Sequence, residues 1–388
     1  MTDPLAFVHD ELRVLQDASL LRTVHALDSA QQPEVILNGR RVILLASNNY
    51  LGLAADERVV EAAAEAARRW GAGTGSARLI SGGVRIHDEL EGRLARLKRS
   101  EAALLFSSGY LANLGTISAL VGRGDAIFSD ELNHASIIDG ARLSGAEVHI
   151  YRHADATHLA DLLRTHPAPR RLVVTDAVFS MDGDLAPLRD LAEACEHHGA
   201  ILMVDEAHAT GVVGPDGRGA VAGAGLEGRV PVIMGTLSKA LGAAGGFIAG
   251  SSALVSFLRN RARAFIFDTA LPAPVAAAAL AALDVLEAEP WRAGRARALA
   301  TRLASGLSDA GFRVSEPAAA IVPVHIGETD AALAVSRALL GQGVLVPAIR
   351  PPSVPPGTAR LRATVMATHE DAHVDAAVRA FAASRVGV

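Results

Sequence analysis

The sequence predicts an α/β protein: a large, mostly parallel β-sheet covered by helices on both faces, with a smaller α+β unit attached. Three observations predict it. Residues 101 to 250 repeat a short apolar run, a turn and a helical period, the pattern of βαβ units. From about residue 290 the order becomes helix, strand, helix, strand. The composition, 50% hydrophobic with 4% aromatic residues and 36 glycines, suits closely packed layers of small side chains.

Taken in order, residues 1–60 read as a helix followed by "EVILNGRRVILLAS". That stretch reads as a hairpin turning at Asn38 and Gly39, a pair that accepts positive φ at both central turn positions. The runs "AALLF", "AIFSD", "EVHIYR", "RLVVTD", "ILMVDE", "PVIMG" and "GGFIAG" read as buried strands. Segments between them, such as "PLRDLAEACEHHG", carry their apolar residues on one helical face. "GFRVSEPAAAIVPVHIG" and "ARLRATVMATH" supply strands to the smaller unit. The division that follows is 1–60 as an N-terminal segment contributing to the small unit, 61–289 as the large unit, and 290–388 as the C-terminal α+β unit.

Bulk properties exclude several functions. A net charge of −5 argues against a general nucleic-acid binder. The single Cys195 leaves no disulfide framework, and no metal site is expected. "MTDPLAFVHDELRVLQ" carries acids early and lacks the basic start and apolar block of a secretory signal. "PAPVAAAALAALDVLEAE" is broken by acids, and no apolar run reaches membrane-spanning length. A soluble, cytoplasmic protein is expected.

Of the 37 Lys and Arg residues only two are lysines, Lys98 and Lys239. In so arginine-rich a chain, a retained lysine points to chemistry a guanidinium cannot perform: loss of a proton and nucleophilic attack. Lys98, in "RLARLKRS", reads as part of the exposed face of an amphipathic helix. Lys239, in "MGTLSKALGAAGG", has no charged neighbour on either side.

Ligands of such sheets bind beyond the carboxyl ends of the strands, so the residues following each run matter most. "ILMVDEAHATG" ends a strand with Asp205 and places His208 three residues on. "VVTDAVFSMDGD" contributes Ser180 with the acids Asp176 and Asp182, and "PVIMGTLSKALG" presents Thr236, Ser238 and Lys239. "LLFSSGYLANLG" passes from strand to helix through Ser107, Ser108 and Gly109, where free N–H groups favour a phosphate. "SDELNHASI" offers His134. Each alone has a structural reading, as a helix cap, a satisfied core histidine or a capped turn. Together, a buried amine, a carboxylate and a phosphate cradle are what pyridoxal 5′-phosphate (PLP) requires. The lysine bonds its aldehyde carbon, the carboxylate keeps its pyridine nitrogen protonated, and a planar side chain covers the ring.

These motifs resemble those of the α-oxoamine synthases, PLP-dependent acyltransferases of the aspartate aminotransferase-like fold type I. The resemblance runs from "LASNNYLGL" through "GAGTGSARLISGGVRIHDELE", "FSSGYLANLG", "NHAS", "VFSMDGDLAPL", "VDEAHATGVVG" and "TLSKALG" to "IRPPSVPPGTARLR". It implies that Lys239, His134, Asp205 and His208 are catalytic, with His134 stacked on the cofactor ring. It implies further cofactor contacts from Ser108, Gly109, Tyr110, Ser180 and Thr236, and from Thr269 of the partner subunit in a homodimer. Asn48 and Arg350 match positions near the amino-acid carboxylate, and Arg22 and Ser353 positions near the acyl substrate. Ala209 stands where glycine is usual and would crowd its loop slightly; Ser353 stands where threonine is usual and keeps the hydroxyl. The "NHAS" context and the proline-rich segment narrow the implied reaction to a decarboxylative condensation of biotin biosynthesis. It would join L-alanine to a pimeloyl thioester carried on coenzyme A or an acyl carrier protein. The competing readings are a sister enzyme such as glycine C-acetyltransferase and a non-catalytic PLP-binding protein. The complete set Lys239, Asp205, His208 and His134 stands against the second.

Overall fold

The computed structural model describes residues 3–384. Its first strands are β1 (Glu34–Leu37), β2 (Arg40–Leu44), β3 (Ala102–Phe106), β4 (Ala126–Asp130), β5 (Glu147–Tyr151), β6 (Arg171–Asp176) and β7 (Ile201–Asp205). They are followed by β8 (Val232–Thr236), β9 (Gly246–Gly250), β10 (Arg313–Val314), β11 (Ile321–Gly327), β12 (Val344–Leu345), β13 (Ala348–Ile349) and β14 (Ala359–Thr364). The helices needed below are α1 (Ala6–Asp17), α2 (Glu57–Trp70), α3 (Arg85–Lys98), α4 (Gly109–Leu120) and α5 (Ala135–Ser144).

Seven strands form the large sheet in the order β3-β9-β8-β7-β6-β4-β5. Each of the seven apolar runs singled out in the sequence is one of them. β8, β7, β6, β4 and β5 run parallel, whereas β9 is antiparallel to both β3 and β8. β3 therefore points the same way as β8. The carboxyl ends of β3, β8, β7, β6 and β4 share one edge, which delivers Ser107, Leu237, Asp205, Asp176 and Asp130 to one place. β4, β8 and β9 are buried at every residue. Helices cover both faces, which is why these runs are continuous rather than alternating.

Both chain ends meet outside this sheet. Asn38 and Gly39 have φ of 50° and 72°, as the predicted hairpin turn requires. β12 then adds in parallel to β2, with Val344 opposite Ile43. A four-stranded sheet, β10-β11-β14-β13, completes the C-terminal part. Its strands share one apolar core with the large sheet and the helices Ala273–Ala288 and Trp291–Asp309. Truncating a leucine at such positions costs about 2–5 kcal/mol. α1 contributes no buried residue and leaves Phe7, Leu12 and Val14 exposed.

One sequence expectation is overturned. Lys98 does not lie on an exposed face: its side chain is 1% accessible and pairs with Glu206 at 2.6 Å. Helical periodicity read within "RLARLKRS" records a polar residue at the end of a helix. It carries no information about a carboxylate more than a hundred positions away that packs over that end.

Candidate active site

The carboxyl edge of the sheet builds a cradle from β3, β8 and β9. Phe106 and Thr236 both lie opposite Gly246, one on each side of β9. The chain leaves β3 through Ser107 and Ser108. Ser108 caps α4, its Oγ accepting from Leu111 N at 3.1 Å, while Ala112 N donates to Ser108 O. The N–H groups of Gly109 and Tyr110 thus stand at the open helix start, outside the helix's own ladder. Close approach dictates the glycines here. A Cβ on Gly246 would sit 2.6 Å from Gly109 Cα, and one on Gly109 would meet Met234 Cε at 2.9 Å. The Thr236 hydroxyl donates to Gly245 O and accepts from Ser238 Oγ, each at 2.8 Å, beside this turn.

Next to the cradle lies a tight group of titratable side chains. Asp205, at the end of β7, is in register with Asp176 on β6 and Met234 on β8. Its Oδ1 accepts from Ala207 N at 2.8 Å and its Oδ2 from Asn113 Nδ2 at 2.7 Å. Asn113 also donates to Ser136 Oγ at 2.8 Å, and Ser136 Oγ lies 2.8 Å from His134 Nδ1. The Ser136 backbone N–H points at the same Nδ1 at 3.3 Å, so that nitrogen is an acceptor and the proton of neutral His134 sits on Nε2. Burial, and then the Lys239 charge, press the His134 pKa down, against the pull of Asp205. The His134 backbone N–H donates to Asp176 Oδ2 at 2.8 Å, which ties the start of α5 to the end of β6. Burial, and then the adjacent Asp205, raise the Asp176 pKa well above the usual carboxylate range.

Lys239 follows β8 into this group. Burial lowers its pKa to about 8, opposed by Asp205 and Asp176 and assisted by Arg362. Its Nζ makes no hydrogen bond with any described residue. The amine is therefore free of protein partners at the centre of the site.

His208 closes the opposite side. Its Nδ1 lies 2.6 Å from the Tyr50 hydroxyl, which is also 3.0 Å from Asn48 Oδ1. Arg362 donates from NH1 to Asn48 Oδ1 at 3.1 Å and from NH2 to Tyr50 Oη at 3.3 Å. Tyr50 has one proton to give, and Asn48 Oδ1 only accepts, so Tyr50 donates to Asn48 and His208 Nδ1–H donates to Tyr50. His208 Nε2 is left as an acceptor. Burial and the nearby cations hold the His208 pKa well below its usual value, which keeps the ring neutral. Arg362 Nε also donates to Ser180 O, and Arg360 pairs with Asp182, so β14 grips the loop that carries Ser180.

Lys239, Asp205, His134, His208, Asn48, Ser180, Thr236 and the Ser108–Gly109 turn thus gather at one edge of the sheet. Other predicted residues lie apart from this group or engage differently. Arg350 donates to the carbonyls of Ser19 at 3.0 Å and Leu21 at 2.8 Å, binding the N-terminal segment. Arg22 and Ser353 are exposed. Tyr110 is exposed and donates to Asp139. Thr269 is exposed in an extended segment that bridges Ala77, one residue from Asp268, the acceptor of Ser107 Oγ. Ala209 is fully buried and takes its place in the turn through an N–H bond to Glu206 O at 3.0 Å. Sequence reading missed Tyr50, Asn113, Ser136 and Arg362. For Arg362 the available signal misled, because "ARLRAT" alternates like a strand with its arginines in solvent, yet every residue of β14 is buried.

This geometry, a half-buried amine with no hydrogen-bond partner among the described residues beside a carboxylate and a glycine-lined helix start, defines a class. A family model for aminotransferases of class I and II matches residues 40–381, and the chain belongs to that family. The 8-amino-7-oxononanoate synthase of Anaeromyxobacter sp. (strain Fw109-5) is 57% identical over 373 residues, which are 96% of this chain and 94% of that one. A solved structure of SPT with PLP superposes with a TM-score of 0.93 at 35% identity, over 99% of this chain and 98% of that one. The structure of 8-amino-7-oxononanoate synthase from Francisella tularensis covers 88% of this chain and 97% of its own, with a TM-score of 0.77 at 26% identity. The α-oxoamine synthase resemblance drawn from the motifs is borne out.

Proposed function

We propose that this chain catalyses the reaction of 8-amino-7-oxononanoate synthases, the PLP-dependent condensation of L-alanine with a pimeloyl thioester. The observation that carries this reading is the 57% identity, over nearly the whole length, to a relative of that name. The greater backbone likeness to SPT reports the shared fold; the higher identity bears on the substrate.

The residues present fit the cofactor. The Ser108–Gly109 turn, pressed against Gly246 and flanked by Thr236, leaves backbone N–H groups for its phosphate. Asp205 would hold the pyridine nitrogen, His134 would cover the ring, and His208 Nε2 and Ser180 would face its phenolic oxygen. Lys239 would bond its aldehyde carbon. When bound, PLP supplies an electron sink for the charge that develops on the alanine Cα.

The chain's own groups do the rest. Arg362, with Asn48, offers a permanent cation to the alanine carboxylate, and Arg350 would steady the segment that carries Arg22. The Lys239 amine, with its pKa lowered to about 8, would take the Cα proton of bound alanine. The Cα–acyl bond would form as the thioester C–S bond breaks and the carrier thiolate leaves; the carboxyl carbon would then depart as CO₂, and the Lys239 ammonium would return its proton to Cα. Arg22 and Ser353 would meet the acyl donor, carried on coenzyme A or an acyl carrier protein. We further propose a cytoplasmic homodimer, with Thr269 reaching the cofactor phosphate of the neighbouring subunit. The free buried thiol of Cys195 suits that compartment. No described helix is long and apolar enough to cross a membrane.

Mass spectrometry after mixing the protein with L-alanine and pimeloyl-CoA tests the reading. Formation of 8-amino-7-oxononanoate supports it; product from acetyl-CoA alone reassigns the chain to a short-acyl sister enzyme. Arg22→Ala should raise KM for pimeloyl-CoA about tenfold more than for an uncharged acyl-CoA of similar length, with kcat little changed. Equal losses for both donors would make Arg22 structural.

A further inference from the structure

Lys98 sits at the carboxyl end of α3 on the far side of the turn that carries Asp205 and His208. Its three ammonium hydrogens have three acceptors: Glu206 Oε2 at 2.6 Å, Thr210 Oγ1 at 2.8 Å and Arg218 O at 2.7 Å. The other Glu206 oxygen, Oε1, accepts from Val221 N at 2.7 Å. Glu206 is also held by its backbone, donating to Met234 O at 2.8 Å and accepting from Ala209 N and Thr210 N at 3.0 and 2.8 Å. The space is closed, since a Cβ on Gly219 would meet the carboxylate at 2.2 Å. Glu206 directly follows Asp205 and lies two residues before His208.

We propose that Lys98 is a positioning residue: by locking Glu206 and Thr210 it fixes the turn that aims Asp205 and His208 at the cofactor. This rests on the reading of those two residues as cofactor-facing. The geometry also accounts for a lysine in a chain that otherwise uses arginine. Three acceptors converge on one point, which suits a compact ammonium with three divergent donors. A planar guanidinium would need them spread along its fork.

A purely structural pair would act only through stability, so the test separates the two. Lys98→Met leaves a buried, unpaired Glu206. Lys98→Met/Glu206→Gln removes both charges, and such replacements of buried pairs are often neutral in stability. For the holoenzyme and both variants, thermal unfolding, the Kd for PLP, and the pH midpoint of the bound cofactor's visible absorption are measured well below the unfolding temperature. We expect the double variant to recover thermal stability while its PLP Kd stays raised and its turnover lowered, each by about tenfold, because displacement of catalytic groups by a fraction of an ångström is costly. The absorption midpoint should stay displaced as well. Amide exchange over residues 205–211 should remain faster than in the parent. If Kd, midpoint and turnover return to parental values with stability, Lys98 is structural and the proposal fails. Should Lys98→Met not fold, the double variant and Thr210→Val, which deletes one acceptor, carry the same readouts. A parent that binds PLP but makes no product from pimeloyl-CoA overturns the assigned reaction and leaves this test standing. A parent that binds no PLP overturns both.

Discussion

The chain's two lysines differ in their surroundings: Lys98 is buried against the turn after β7, and Lys239 is half-buried near Asp205. Lys98 spends all three of its hydrogens on protein acceptors, one of them a carboxylate 2.6 Å away. Lys239 has the charges of Asp205 and Asp176 nearby but no hydrogen bond from its Nζ among the described residues. Burial pushes the pKa of each downward, and for Lys98 the direct contact with Glu206 opposes it. Burial alone therefore does not make a lysine reactive. What separates them is whether the surroundings have already taken up the ammonium's hydrogens.

The sharpest way to break this comparison is Lys239→Arg. Turnover should vanish, and borohydride should no longer fix PLP on the protein, because a guanidinium keeps its proton and does not form the covalent link. Peptide mapping of the reduced parent should find PLP on Lys239. An adduct on Lys98 would reverse the roles assigned to the two amines.

Asp205→Asn should cost about 10²–10⁴ in turnover with the fold retained, since an amide cannot hold the ring nitrogen protonated. The same change should lower the Lys239 pKa further, because Asp205 is the largest influence holding it up. Near-parental activity would transfer the role to another acid, with Asp176 first in line.

Titration distinguishes the lysines more gently. In cofactor-free protein, acylation of Lys239 by a small anhydride should rise through about pH 8, while Lys98 stays unlabelled. The sign for stability follows from the same value. Below about pH 8 Lys239 is protonated in both states, and the cost of burying its charge is fully present. As pH rises from there toward the ordinary lysine range the native state loses its proton first, so this contribution shifts toward stability. Equal labelling of both lysines would erase the distinction.

The smallest effect is expected from Thr210→Val. Loss of one neutral acceptor from Lys98 should destabilise the protein by about 1–2 kcal/mol in chemical denaturation, without exposing Lys98 to the reagent.

Much of this was legible in the chain. Apolar runs and helical periods are local, so the seven strands of the large sheet, the Asn38–Gly39 turn and the capped glycine turn at Ser108–Gly109 could be read from neighbouring residues. So could Lys239, Asp205, His208 and His134, because a parallel sheet sends every strand end to the same edge, and residues that follow strands meet there whatever their distance in sequence. The tertiary structure alone decided the partners. Tyr50 reaches His208 from the segment after β2, Arg362 reaches Tyr50 from the C-terminal sheet, and Lys98 finds Glu206 across the fold. Charge and polarity in a sequence mark which side chains need a partner. Which of them are buried, and against what, depends on contacts between segments far apart in the chain, and no local pattern records those.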